Sequence, residues 1–181
     1  MRKSLGAVLA VATLLSTATL VGVPSAGAAG GTTCKTNKGT ATFSPALPPL
    51  SSSATVNSTV SYTGTLSGCV GGGVTGATYK GSYKLVNSHN CKQLLTYTAK
   101  TTTGSITTTW SNHQTSVGTI TLIGIKGNAT KDNVTGVTKT GLFAGLHLTT
   151  SYSFKATPAT GCVSTALAKV AVTGASPVVI K

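Results

Sequence analysis

The sequence predicts an all-β fold, and three observations predict it. Apolar and polar residues alternate at period two in segment after segment, turn-forming residues separate those segments, and Thr, Ser and Gly dominate while Glu is absent. Such alternation gives each strand one buried and one solvated face, as in an antiparallel sheet. Seven or more short strands with turns between them point to an antiparallel immunoglobulin-like β-sandwich, with a small β-barrel as the alternative.

The first 28 residues stand apart. Arg2 and Lys3 precede an apolar run from Leu5 to Val23, Pro24 follows, and Ala26-Gly27-Ala28 has the small-x-small form that signal peptidase cleaves. Residues 1–28 therefore read as a secretory signal peptide, and residues 29–181 as a single secreted β-sandwich domain long enough for a hydrophobic core. Thr13, Ser16, Thr17 and Thr19 dilute the run, which argues against an uncleaved anchor. No lipid-attachment box precedes Cys34, and Ser176 to Lys181 forms neither a hydrophobic tail nor a sorting motif. The expected location is extracellular, with no membrane contact after cleavage.

The strands follow in order. Ala41 and Phe43 make the first inward pair, and Pro45, Pro48 and Pro49 break the chain after it. Val56, Val60, Tyr62 and Leu66 form the next inward set, with Gly64 between and Thr, Ser and Asn57 facing out. Ala77, Tyr79, Tyr83 and Leu85 then alternate with Thr78, Lys80, Ser82 and Lys84. The segment Cys91 to Leu95 suits one helical turn. Ile106 and Trp110 share a face, so Trp110 reads as core rather than as a sugar-stacking platform. The run from Val117 to Ile125 is apolar on both faces, which predicts a central strand. Leu146, Leu148, Tyr152 and Phe154, and then Val170 and Val172, complete the inward sets. Glycine-rich 68–76, polar 87–90, Ser111-Asn112, Gly127-Asn128 and the Pro158-containing 156–161 supply the turns.

Cys34, Cys69, Cys91 and Cys162 all lie beyond the signal segment, and an even count in an exported chain reads as two disulfides. Three pairings are open. Cys34–Cys69 with Cys91–Cys162, which staples each half of the chain, is preferred, although the sequence does not decide it. No C-x-x-C occurs, and His89-Asn-Cys91 is the single close His/Cys pair, so neither a metal site nor a cofactor is expected.

Charge is the unusual property. Once Arg2 and Lys3 leave with the signal peptide, the fourteen basic residues become twelve lysines. One acid, Asp132, opposes them, so the mature net charge is +11. A surface of this kind attracts anionic polymers through long-range, salt-sensitive forces. Lys80 and Lys84 share a strand face, and with Lys92 and Lys100 they form a candidate basic patch. Arginine, the preferred bidentate reader of phosphate and guanine, is missing from the mature chain, which argues against sequence-specific nucleic-acid binding.

Several chemistries are closed. Glycoside hydrolysis normally uses two carboxylates, and a calcium loop uses more; Asp132 stands alone in what reads as a polar turn. No G-x-S-x-G elbow occurs, and His89, His113 and His147 fall in polar loops or on an outward strand face. No catalytic or cofactor-binding residue is expected.

Five segments together carry a resemblance. Thr42-Phe-Ser-Pro45, Gly64-Thr-Leu-Ser-Gly-Cys69, Thr109-Trp-Ser-Asn112, Leu142-Phe-Ala-Gly145 and the late Gly161-Cys162 span most of the mature chain. The chain resembles small secreted four-cysteine actinobacterial proteins to which no function is assigned. The resemblance implies a secreted β-sandwich and carries across no catalytic residues. A glycine is usual after Trp-Ser-Asn in that pattern; His113 stands here instead, which speaks against a tight turn.

The functional expectation is a secreted, non-catalytic protein that binds anionic cell-wall polymer nonspecifically through its lysines. A small-ligand carrier, or an enzyme with an unrecognised site, is the alternative. The sequence leaves the oligomeric state open.

Overall fold

A computed structural model describes residues 30–85, 90–95, 101–125 and 128–181; the segment 1–28 expected to be a signal peptide, His89, Lys100 and Lys126 lie outside the described residues. Among the described residues, nine strands and one short helix follow in order. They are β1 (Thr32–Leu47), β2 (Thr59–Val70), β3 (Gly76–Lys84), α1 (Cys91–Leu95), β4 (Thr101–Trp110), β5 (Thr115–Ile125), β6 (Asn128–Gly141), β7 (His147–Ala156), β8 (Leu167–Gly174) and β9 (Val178–Ile180).

Each strand from β1 to β8 pairs antiparallel with the next. β8 then pairs with β1, and that pairing closes the sheet. β9 continues the line of β8 past a short break, pairing with Thr32–Cys34 of β1 and with Leu148–Thr149 of β7. The all-β antiparallel expectation holds. The architecture is the alternative, a closed eight-stave up-and-down barrel, and not a sandwich of two stacked sheets. The physical reason is closure: a sandwich leaves edge strands, whereas β1 here gives one edge to β2 and the other to β8 and β9.

A closed barrel also corrects the central-strand reading of 117–125. β5 is one stave among eight, with Ile120 and Leu122 buried inside and Val117 44% exposed outside. The proline expectation shifts too. β1 runs through Pro45 to Leu47 and ends before Pro48, with its register against β8 shifting between Thr42 and Leu47. A proline is tolerated at such an irregularity because no ladder donor is required there.

The interior is built by setting tyrosine against glycine. The Tyr79 ring lies over the inward faces of Gly64 and Gly39, so that a Cβ on Gly64 would fall 2.3 Å from the Tyr79 hydroxyl oxygen. The Tyr62 ring crosses Gly81 in the same way. Large residues over small ones let a narrow barrel fill its own bore. Toward one end, Trp110 stands edge-on to Phe143 with centroids 4.9 Å apart, over Leu66, Val74, Leu148 and Ile180. Toward the other end lie Phe43, Leu47, Val60, Leu167 and Val170.

That second end is capped by α1 and the 157–166 loop, which the Cys91–Cys162 disulfide joins. The second disulfide, Cys34–Cys69, links directly opposed residues of β1 and β2. These are the two bonds that stapling each half of the chain favours. The helical turn expected at 91–95 forms, and its start is a reciprocal cap. Gln93 N–H donates to Asn90 Oδ1, and Asn90 N–H donates to Gln93 Oε1, both at 3.0 Å.

Candidate functional site: the outer lysine surface and the barrel interior

Strand alternation sorts the charged residues. The ten lysines among the described residues are all exposed. Asp132 does not sit in a polar turn. It lies within β6, opposite Gly124 of β5 and Tyr152 of β7, on the parity of buried Val134 and Thr138. Its side chain is therefore turned to the inner face and half-buried, and burial pushes its carboxyl up to about 6. The outside of the barrel carries lysines and no acidic side chain.

The candidate patch comes together in part. Lys80 and Lys84 stand on the outer face of β3, two rungs apart, and Lys92 is exposed on α1. Lys100 lies outside the described residues. Barrel closure adds a group that sequence distance hides. Lys155 of β7, Lys169 of β8 and Lys38 of β1 occupy three consecutive staves on the outer face. The signal that could have found them was the period-two parity of each strand, but the pairing of β8 with β1 was needed to use it.

One described space lies among the inward tyrosines. The central space is lined by Tyr62, Tyr79, Tyr83, Tyr152, Phe154 and Ile120, and amounts to about 30 Å³, on the scale of one or two water molecules. Ligand pockets run to roughly 300–1,000 Å³. The tyrosines form a connected set: Tyr62 stands 6.3 Å from Tyr79 and 6.1 Å from Tyr83, centroid to centroid. Tyr79 O–H donates to Asn37 Oδ1 at 2.7 Å, and Tyr62 O–H donates to the Ser105 carbonyl at 2.6 Å. Burial, reinforced by neighbouring phenols, raises Tyr62 and Tyr79 far above the ordinary phenol range, and burial raises Tyr152 as well. These hydroxyls stay protonated and act as donors. Asn37 Nδ2 is buried without an acceptor.

Neither of the two described histidines is buried. His147 is exposed at the start of β7, and His113 is exposed in the β4–β5 turn. That turn is tight despite lacking glycine. His113 takes φ 63° itself, and its N–H donates to the Trp110 carbonyl at 2.9 Å. Histidine tolerates the left-handed region better than most residues, which is compatible with a tight turn here. Trp110 is 2% exposed, with Nε1–H donating to Ser116 Oγ at 2.7 Å, so it is core as expected. Among the described residues no group of three or more His, Cys, Asp or Glu side chains gathers. No family model, curated protein or solved structure matches the chain.

Proposed function

We propose that the mature chain acts outside the cell as a non-catalytic barrel that holds anionic cell-envelope polymer on its lysine-bearing surface. The observation that carries this reading is the sorting of charge: the described lysines are all exposed, and the one acid faces inward. No carboxylate on the wall neutralises those cations, so their fields add. At physiological salt such attraction reaches about 8 Å before it is screened.

Three further points support the reading. Two disulfides suit an oxidising compartment. The described space among the tyrosines, about 30 Å³, is far smaller than the volume of an ordinary small-ligand pocket. Lysine without arginine suits diffuse attraction more than the planar, bidentate reading of a base. The expected binding is therefore nonspecific and strongly salt-dependent.

The test is retention of the chain 29–181 on purified cell walls across a salt series, before and after the anionic polymers are stripped. Retention at low salt, progressive release as salt rises, and loss on stripped walls are expected. A chain that passes through intact walls even at low salt overturns the reading.

A further inference from the structure

The lysines are unevenly spread around the barrel. From Thr101 to Ile125, the whole of β4 and β5, the chain carries no Lys, Arg, Asp or Glu. On the side where the two ends of the barrel chain meet, each stave of β7, β8 and β1 brings a lysine to the outer wall. We propose that this face is a discrete phosphate cradle: Lys38, Lys155 and Lys169 surround Ala171 and seat the phosphodiester groups of an anionic polymer. The proposal rests on the polyanion reading above and assigns it a place and a ligand chemistry.

The register builds the cradle as three rungs across three strands. The first rung is Ser153–Thr173–Lys38, the second is Lys155–Ala171–Thr40, and the third pairs Lys169 with Thr42. Each lysine stands on a different strand and a different rung. No two are directly opposed, which avoids the unfavourable like-charge cross-strand pair. Strands lie about 4.8 Å apart and alternate residues about 6.7 Å apart. Lys155 and Lys169 are then diagonal neighbours at about 7–8 Å between Cα atoms, and Lys155 and Lys38 are about 12 Å apart. Four methylenes on each side chain let the ammonium groups lean inward over this distance.

The floor suits an anion. Ala171 is half-buried and has the smallest side chain of the grid, so the centre is shallow while its rim is long. Ser153 and Thr173 share the outward parity of the lysines, and Lys131 of β6, opposite Ser153, extends the first rung. No acidic side chain interrupts the face, because Asp132 is turned to the inner wall.

The choice of phosphate follows from the donors. An ammonium is a compact charge with three rotatable donors, and it holds a phosphate as a point charge with no fixed approach direction. Ammonium and hydroxyl donors converging from several directions fit a tetrahedral phosphodiester, whose oxygens accept from all sides.

Two triple variants of equal charge isolate the cradle. K38Q/K155Q/K169Q removes it. K35Q/K139Q/K181Q removes three exposed lysines from the wall and terminus outside it. Both are titrated with inorganic polyphosphate, and separately with poly-glutamate, across a salt series. For polyphosphate, the cradle variant is expected to lose about tenfold or more in affinity and about two units of slope in log K against log salt, the control less than about threefold. For poly-glutamate the two variants are expected to weaken alike. Equal losses on polyphosphate overturn the cradle and leave the general polyanion reading standing. A cradle-specific loss as large on poly-glutamate overturns the phosphate assignment. A wild-type chain that binds neither polymer at low salt overturns both readings.

Discussion

Tyr79 reaches across two staves and ends on Asn37, and it can do so because Gly64 and Gly39 have no side chains beneath it. Adding a Cβ at Gly64 sets it 2.3 Å from the tyrosine oxygen and 2.6 Å from the Lys38 carbonyl. Gly64→Ala is therefore expected to destabilise the barrel by about 1–3 kcal/mol in urea unfolding. Combining it with Tyr79→Ala should cost less than the two single changes together, since both ring-end atoms that clash, Oη and Cζ, are gone. Asp132 is the second residue with a sharp consequence. Its folded-state pKa of about 6 lies above the ordinary value of 3.8, so the folded chain binds its proton more tightly than the unfolded chain does. The resulting stabilisation is fully present below about 4 and is lost as pH rises through about 6. Asp132→Asn should leave stability nearly unchanged at pH 4 and raise it by on the order of 1–2 kcal/mol at pH 8. Urea midpoints at the two pH values check this; a variant less stable than wild type at pH 8 contradicts it. The inward position of Asp132 was hidden from the sequence because Lys131 and Asn133 flank it, and local polarity imitates a turn.

At the scale of elements, β1 and β2 show how a ladder keeps its register while its faces exchange. Pairing stays in step from Cys34↔Cys69 to Ser44↔Thr59. Yet Lys35 and Thr36, and likewise Ser67 and Gly68, are consecutive exposed residues, so both strands switch parity at the same height. Gly68 absorbs the change at φ 63°. The switch is what brings Cys34 and Cys69 to the inner face, where the alternation of either strand continued from its centre would have placed Lys35 and Gly68. Helix α1 shows the opposite case, an element legible in the chain but too short to stand alone. Its cap and the bond from Cys91 to Cys162 hold it across the barrel end. Cys91→Ser with Cys162→Ser opens a closed loop of 71 residues, for a loss of about 4 kcal/mol. Limited trypsin digestion should then cut first after Lys92. Wild-type resistance at that bond in the variant would show that the cap alone suffices.

For the whole molecule, the decisive contact joins the first and last strands of the barrel. β9 is three residues long, but Val178 and Ile180 are 2% and 3% exposed and pack into the same cluster as Cys34 and Leu148. Ending the chain after Ala175 removes both side chains and unpairs Thr32–Cys34. Burial of two such residues contributes about 3–6 kcal/mol, so the shortened barrel should melt well below the full chain. Calorimetry checks this, and an unchanged midpoint would mean that β8 alone closes the seam. Closure also governs the charged surface, since the pairing of β8 with β1 places Lys169 and Lys38 on neighbouring staves.

The sequence by itself determined the strands, their inward residues and the imbalance of charge, because each depends on local alternation and composition. Tyr62, Tyr79, Trp110 and Val172 all point where period two places them, and the turn residues mark most strand ends. Only the tertiary structure decided between sandwich and barrel. Both architectures ask the same alternation of every strand, and they differ solely in whether β1 meets β8. That one long-range pairing removes the sheet edges and sets Lys38 beside Lys155 and Lys169, from which it is far apart in the chain.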